Sequence, residues 1–193
     1  FTKQTYCNQV TSYIRSLIRK GTLEIGAPVK EAVLSEQLGI SRAPIREALQ
    51  VLVQEGLITS EPQKGKHVRQ MTGKEIYDSY VVAGILEGAG VAESLPLWTE
   101  ANMETFRSVV RQMEGKISYA TKLDELAEID ELFHATLFMA CDNTRLVEMA
   151  RTSCATISKY LYYQHWITMF TPREYADRHH AVAEAVYSRD VKH

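Results

Sequence analysis

The sequence predicts a mainly α protein in two parts. An N-terminal winged helix-turn-helix, three helices plus a β-hairpin wing, is expected over residues 1–70, and an all-α helical bundle over 71–193. Three observations predict it. Amphipathic segments punctuated by Gly21, Gly39 and Gly56 lead into two short alternating stretches. Beyond residue 74 there is neither strand alternation nor a glycine-rich loop. The charge also changes sign at the boundary: residues 1–70 carry ten Lys/Arg against six Asp/Glu (net +4), and the rest twelve against eighteen (net −6). A basic front and an acidic back imply that only the front meets a polyanion.

Taken in order, the first helix is expected over 4–20, with Val10, Tyr13, Ile14, Leu17 and Ile18 at helical spacing and Gly21 ending it. A loop with Gly26 and Pro28 follows. A short helix near 31–38 turns Val33, Leu34 and Leu38 inward, and Gly39 supplies a tight turn. Ser41 is placed to cap the next helix, 42–55, whose apolar face is Ile45, Ala48, Leu49 and Leu52. Pro44 fits its first turn, where backbone N–H groups lack intrahelical partners. Strands at 57–60 and 67–70 enclose a polar, basic tip, 61–66. Thr72 and Glu75 have the spacing of a capping box. Helices are then expected near 75–95, 101–118, 122–141, 144–169 and 172–188, the last opened by Thr171, Pro172 and Glu174.

With 193 residues, 45% hydrophobic and 24% charged, the composition is that of an ordinary globular protein. The core is large enough to need neither disulfide nor structural metal. Cys7, Cys141 and Cys154 form no C-x-x-C pair and are odd in number, which fits a reducing cytoplasm. No apolar run approaches the ~20 residues of a membrane span and no signal peptide is recognisable, so no membrane partner is expected. The chain opens on Phe1 rather than Met, and residues are expected to precede it.

The sharpest local signal is Ser41-Arg42-x-Pro44-x-Arg46. Arg42 and Arg46 are four apart, about 40° around a helix, so both leave one face near its N-terminus. That end offers free N–H groups and the positive end of the helix dipole, suited to phosphate. Arginines there can reach guanine edges in the major groove or clamp a phosphate. The Ser41 hydroxyl can serve a phosphate as well, and Lys64, Gly65 and Lys66 at the hairpin tip can reach the adjacent backbone or minor groove. The alternative is a solvated helix face, with Arg46 paired to a nearby Glu.

The second constellation is Asp130 and His134, whose i, i+4 spacing sets a carboxylate beside an imidazole. Leu126, Ile129, Phe133 and Leu137 flank the pair and point it into the bundle. Such a pair begins a site for Zn, Ni or Mn, or is a surface or satisfied core pair. A further ligand must come from another helix. His179, in phase with Val182 and Val186, is the leading choice over His180, with His165 and His193 weaker.

The stretch Leu34-Ser35-Glu36-Gln37-Leu38-Gly39-Ile40-Ser41-Arg42-Ala43-Pro44-Ile45-Arg46-Glu47-Ala48-Leu49, continued by Leu52 and Glu55-Gly56-Leu57, resembles the DNA-binding domain of GntR transcriptional regulators. The pattern Asp130-x-x-Phe133-His134-x-x-Leu137, Asn143, Leu146, His179-x-x-Val182-x-x-Ala185-Val186 is similar to the FCD domain of the FadR-like branch. The resemblance implies a homodimer on a double-stranded, pseudo-palindromic operator, with Arg42 and Arg46 among the DNA contacts. It also implies a small-molecule effector, with an organic acid as the expected class, in a pocket whose floor in many such domains is a divalent metal held by one Asp and three His. Asp130, His134 and His179 match the first three ligands, and the third histidine falls beyond His193, so the domain is expected to be incomplete at its C-terminus.

Two positions depart from the family pattern. Ala32 replaces a basic residue that some relatives carry before the turn. Ala83 replaces an Arg that holds a carboxylate effector, while the Glu four residues on is present as Glu87. Tyr160, Tyr162, Tyr163 and Trp166 either shape a different pocket or pack helices.

The expected function is a DNA-binding regulator, a repressor, switched by its effector. Nothing matches a Ser/His/Asp order, a P-loop, a Rossmann glycine pattern or H-E-x-x-H, so an enzyme is not expected. The remaining rival is a winged helix that docks protein, and salt dependence separates the two.

Overall fold

Val10, Ile14 and Ile18 recur at helical spacing, and the chain folds there as α1 (Tyr6–Arg19) with all three buried. Tyr13, expected on the same face, lies at its edge, 38% exposed. These coordinates come from a computed structural model that describes residues 6–189. The chain divides into two compact units: the chain up to Tyr77 with Ala155–Gln164, and Asp78–Cys154 with the chain from His165 on.

In the first unit α1 is followed by α2 (Glu31–Leu38) and α3 (Arg42–Gln54). Gly39 ends α2 at φ 65°, a left-handed conformation that an L side chain resists, and donates its N–H to the Ser35 carbonyl. α2 buries Leu34 and half-buries Leu38, whereas Val33, expected inward, is 45% exposed. Leu34 and Leu38 stack four apart on one face, and Val33 lies about 100° away from Leu34. On α3, Ile45, Ala48, Leu49 and Leu52 are wholly buried. Burying each larger aliphatic contributes about 1.5–3 kcal/mol.

The wing is an antiparallel hairpin of β1 (Ile58–Glu61) and β2 (Gly65–Val68), pairing Ile58 with Val68 and Glu61 with Gly65. Its loop, Pro62-Gln63-Lys64, is shorter than the six-residue tip expected, because Gln63 takes a left-handed φ of 67° and closes the turn early. The segment read as a loop around Pro28 runs extended along β2. Val29 N–H donates to the Lys66 carbonyl (2.8 Å), Val68 N–H to that of Ala27 (2.9 Å), and Pro28 bridges His67.

The stretch expected as one helix over 144–169 is broken into α7 (Thr144–Ser153), a π-helical turn (Ile157–Leu161) and α8 (Tyr163–Met169). Ala155–Gln164 groups with the winged helix rather than with the helices on either side of it. Leu161 is buried in the winged-helix core. The Tyr162 hydroxyl accepts from Met71 N–H and donates to Met71 C=O, both at 3.0 Å. Arg19 lies 4.2 Å over the Tyr163 ring and donates to its hydroxyl at 2.9 Å. Apolar periodicity identifies a buried face but not the core it enters.

The second unit has helices and no strand among its described residues. It contains α4 (Gly73–Ser94, from Asp78), α5 (Glu100–Ile117), α6 (Ala127–Leu137), α7 and α9 (Pro172–Tyr187), with 3-10 turns at Leu95–Leu97 and Leu123–Leu126. The latter turn opens the region expected as one helix over 122–141. The expected capping boxes are present, Thr72 with Glu75 and Thr171 with Glu174. The core runs through Trp98, Phe106 and Phe133, whose successive ring centroids are 5.4 and 5.3 Å apart. Ser94, fully buried, is satisfied by Trp98 Nε1 (2.9 Å) and Ala140 N–H (3.2 Å). By length and composition alone Gly73–Leu97 passes as a membrane span, although Asp78, Glu87 and Glu93 interrupt its apolar run. Glu87 and Gly90 of this helix meet His134 and Phe138, the contacts of a bundle helix.

Candidate nucleic-acid interface and metal centre

The N-terminal turn of α3 is built as a presenting edge. Ile45 anchors it in the core, while Ser41, Arg42, Ala43 and Arg46 stay exposed and Pro44 is half-buried. Ser41 occupies the N-cap with extended backbone, φ −65° and ψ 161°, but makes no side-chain capping bond. The expected cap is therefore correct in position and absent in bonding. The first-turn N–H groups and the helix dipole face outward without a serine lid.

Behind this edge stands Glu31, a residue in no motif of the sequence. Its two carboxylate oxygens meet Arg46 Nε at 3.3 Å and Lys66 Nζ at 3.1 Å, linking α2, α3 and β2. The hydrogen bond from Lys66 is the main reason its carboxyl is held below the usual glutamate range. Arg46 keeps 69% of its side chain exposed despite the pair, while Lys66 keeps only 22%. Lys66 is therefore a strut rather than a tip residue. Lys64 is at the tip beside Gly65, 74% exposed and 2.7 Å from Glu61. Glu31 leaves no sequence signal except acidic character in a helix's first turn.

In the helical unit, Asp130 and His134 of α6 and His179 of α9 converge, with one ligand atom from each lying within 4.8 Å of the others. Asp130 Oδ1 is 3.2 Å from His179 Nε2 and 3.7 Å from His134 Nε2. Ligands about 2.0–2.2 Å from a tetrahedral zinc lie about 3.3–3.5 Å apart, so the three fit a divalent ion. Their outer partners fit as well. Tyr175 donates its hydroxyl to Asp130 Oδ1 (2.7 Å), and His179 Nδ1 donates to the Tyr175 carbonyl (2.8 Å). With Nδ1 carrying hydrogen, His179 Nε2 faces the carboxylate either as a second N–H or, through a cation, as a lone pair.

Burial would raise the Asp130 carboxyl, but the His179 hydrogen bond, the His134 charge and the Tyr175 hydroxyl outweigh it and hold the group below its usual range. Burial, then the Asp130 charge, pushes the Tyr175 phenol far up, keeping it a donor.

Other candidates separate from this cluster. His180 turns to Glu114 (3.7 Å), His165 is exposed, and His193 lies outside the described residues. Val182 is 40% exposed, and Ala183 rather than Val182 shares the buried face with Val186. A small depression open to solvent adjoins the site, lined by Val110, Met113 and His179 among others. Tyr160, Tyr162 and Tyr163 belong to the winged-helix unit, and only Trp166 packs on the helical core.

Residues 7–68 match the model of bacterial regulatory proteins of the gntR family, and 78–193 match the FCD domain. The chain belongs to the GntR family. This GntR-family chain is 31% identical, over 76% of its length and 64% of the relative's, to a probable D-xylose utilization operon transcriptional repressor of Paenarthrobacter nicotinovorans. It is 29% identical to the gluconate operon transcriptional repressor of Bacillus subtilis, over 70% of its own length and 55% of that protein's. It thus spans a little under two thirds of the first of these relatives. Both are named as transcriptional repressors. The fold is shared with E. coli McbR/YncC, TM-score 0.70 at 20% identity, covering 97% of this chain and 89% of that one. A transcriptional regulator from Rhodococcus has the same fold, TM-score 0.67 at 22% identity, covering 96% and 88%.

Proposed function

We propose that this chain is a cytoplasmic, homodimeric repressor that grips a pseudo-palindromic operator and releases it when an effector engages the helical unit. The observation that carries the reading is the exposed N-terminal turn of α3, with Ser41, Arg42 and Arg46 around an uncapped helix end. Two such turns related by a two-fold axis read two half-sites about 34–36 Å apart. Lys64 and Gly65 at the wing tip reach the flanking backbone, Pro44 shapes the turn, and Lys66 acts through Glu31. An exposed apolar stretch of α4, with Val81 and Ile85 at 41% and 66% exposure beside Gly84 and Gly88, supports pairing with a second copy. Asp130, His134 and His179 would hold zinc, nickel or manganese, which supplies a positive floor for an acidic effector. The metal would bind with release of any proton shared among them.

The test is binding to duplex DNA selected from a random library, measured across salt concentrations. A reader of phosphates and bases shows log K falling steeply and linearly with log salt. A flat dependence, or no selected sequence, contradicts operator binding and favours a protein-docking winged helix.

A further inference from the structure

We propose that Glu87 is a positioning residue for the metal centre: it fixes His134 as the Nδ1–H tautomer and so delivers the Nε2 lone pair to the ion. The inference rests on the reading of Asp130, His134 and His179 as metal ligands and adds to it a residue from a third helix.

A neutral imidazole has one N–H and one lone pair, and the partner of one nitrogen decides the role of the other. In this protein the Glu87 carboxylate of α4 hydrogen-bonds His134 Nδ1. An ionised carboxylate only accepts, so Nδ1 must carry the hydrogen. Nε2 then faces Asp130 Oδ1 at 3.7 Å, on the side where the ligand atoms converge. His179 reaches the same state by another route, through the Tyr175 carbonyl on Nδ1.

The two outer partners differ chemically. The carbonyl of Tyr175 belongs to His179's own helix and comes with its geometry. Glu87 must be brought from elsewhere, and the fold brings it. Three residues along α4, a Cβ built on Gly90 would lie 2.7 Å from Phe138 Cδ1, and Phe138 is four residues beyond His134. The glycine lets α4 approach until residue 87 reaches residue 134. A carboxylate behind a ligating imidazole also makes it a stronger donor than a carbonyl does.

Zinc affinity of the whole chain, measured by competition with a chromophoric chelator, tests this with Glu87→Ala and Glu87→Gln. Glu87→Ala is expected to weaken zinc about 10–100-fold. Glu87→Gln, whose amide oxygen still accepts from Nδ1, is expected to lose less. Long-range ¹⁵N–¹H spectra of the metal-free protein at about pH 8, where imidazoles are largely neutral, should show His134 as the Nδ1–H tautomer in wild type and shifted toward Nε2–H in Glu87→Ala. Wild-type zinc affinity in both variants, with the tautomer unchanged, overturns the role of Glu87 and leaves the metal site standing. A Co²⁺ spectrum of altered coordination number in Glu87→Gln overturns it too, since the carboxylate would then be a ligand itself. Wild-type protein that takes up no zinc overturns the metal reading and the proposal together.

Discussion

Each unit of this protein contains a carboxylate between two nitrogen-bearing side chains, and the two clusters differ in chemistry. In the winged helix Glu31 lies between Arg46 and Lys66, and in the helical unit Asp130 lies between His134 and His179. Guanidinium and ammonium groups are donors with no lone pair to share. The first cluster is therefore complete as an ion-pair strut, and its spare capacity is the exposed remainder of Arg46. Imidazoles whose outer nitrogens are occupied can turn either a second N–H or a lone pair inward, so the second cluster, unlike the first, has donor atoms with which to hold a cation. The nitrogen type, not the carboxylate, decides whether such a cluster can only brace a surface or could also take an ion.

The largest expected effect breaks the second cluster. Zinc at about 100 times its dissociation constant should stabilise wild-type protein by about 2.7 kcal/mol. Asp130→Ala should show little of that gain in urea unfolding with and without zinc. An equal gain in the variant would move the ion elsewhere.

Next in size is Gly90→Ala, which sets a methyl against the Phe138 ring, itself 5% exposed. Overpacking of this kind costs about 1–3 kcal/mol, read as a lower urea midpoint. An unchanged midpoint would mean that Phe138 yields and that α4 is not held as closely as the Glu87 contact requires.

The smallest effect concerns the first cluster. Glu31→Gln should cost about 0.5–1 kcal/mol, the range of partly exposed ion pairs. Because the folded state lowers the Glu31 carboxyl from its ordinary 4.5, this stabilisation is present above that pH. It is lost as pH falls through the lowered value. Urea midpoints of wild type and Glu31→Gln should accordingly converge in acid, and a constant gap would assign the cost to packing.

What the sequence made legible follows the same division. Gly39, Ser41 and Pro44 mark a turn and helix start by local backbone chemistry, and the elements are where that chemistry puts them. Thr171 and Glu174 mark α9 for the same reason. Asp130 and His134 are four apart on one helix, so their pairing is legible too, and helical phase adds His179. The contacts that needed the fold join residues far apart in sequence: Glu31 with Lys66, Glu87 with His134, and Leu161 with the winged-helix core. Ala155–Gln164 shows the limit most clearly. Its tyrosines read equally as pocket or as helix packing, and nothing local says that their partners are Arg19 and Met71 rather than the bundle.

The central claim is that the N-terminal turn of α3 reads DNA, and its most direct test is operator affinity of Arg42→Ala and Arg46→Ala beside wild type at fixed salt. Each substitution is expected to cost about 1–3 kcal/mol, roughly 5–150-fold, with specificity relaxed at the base each one contacts. Wild-type affinity in both variants would contradict the claim.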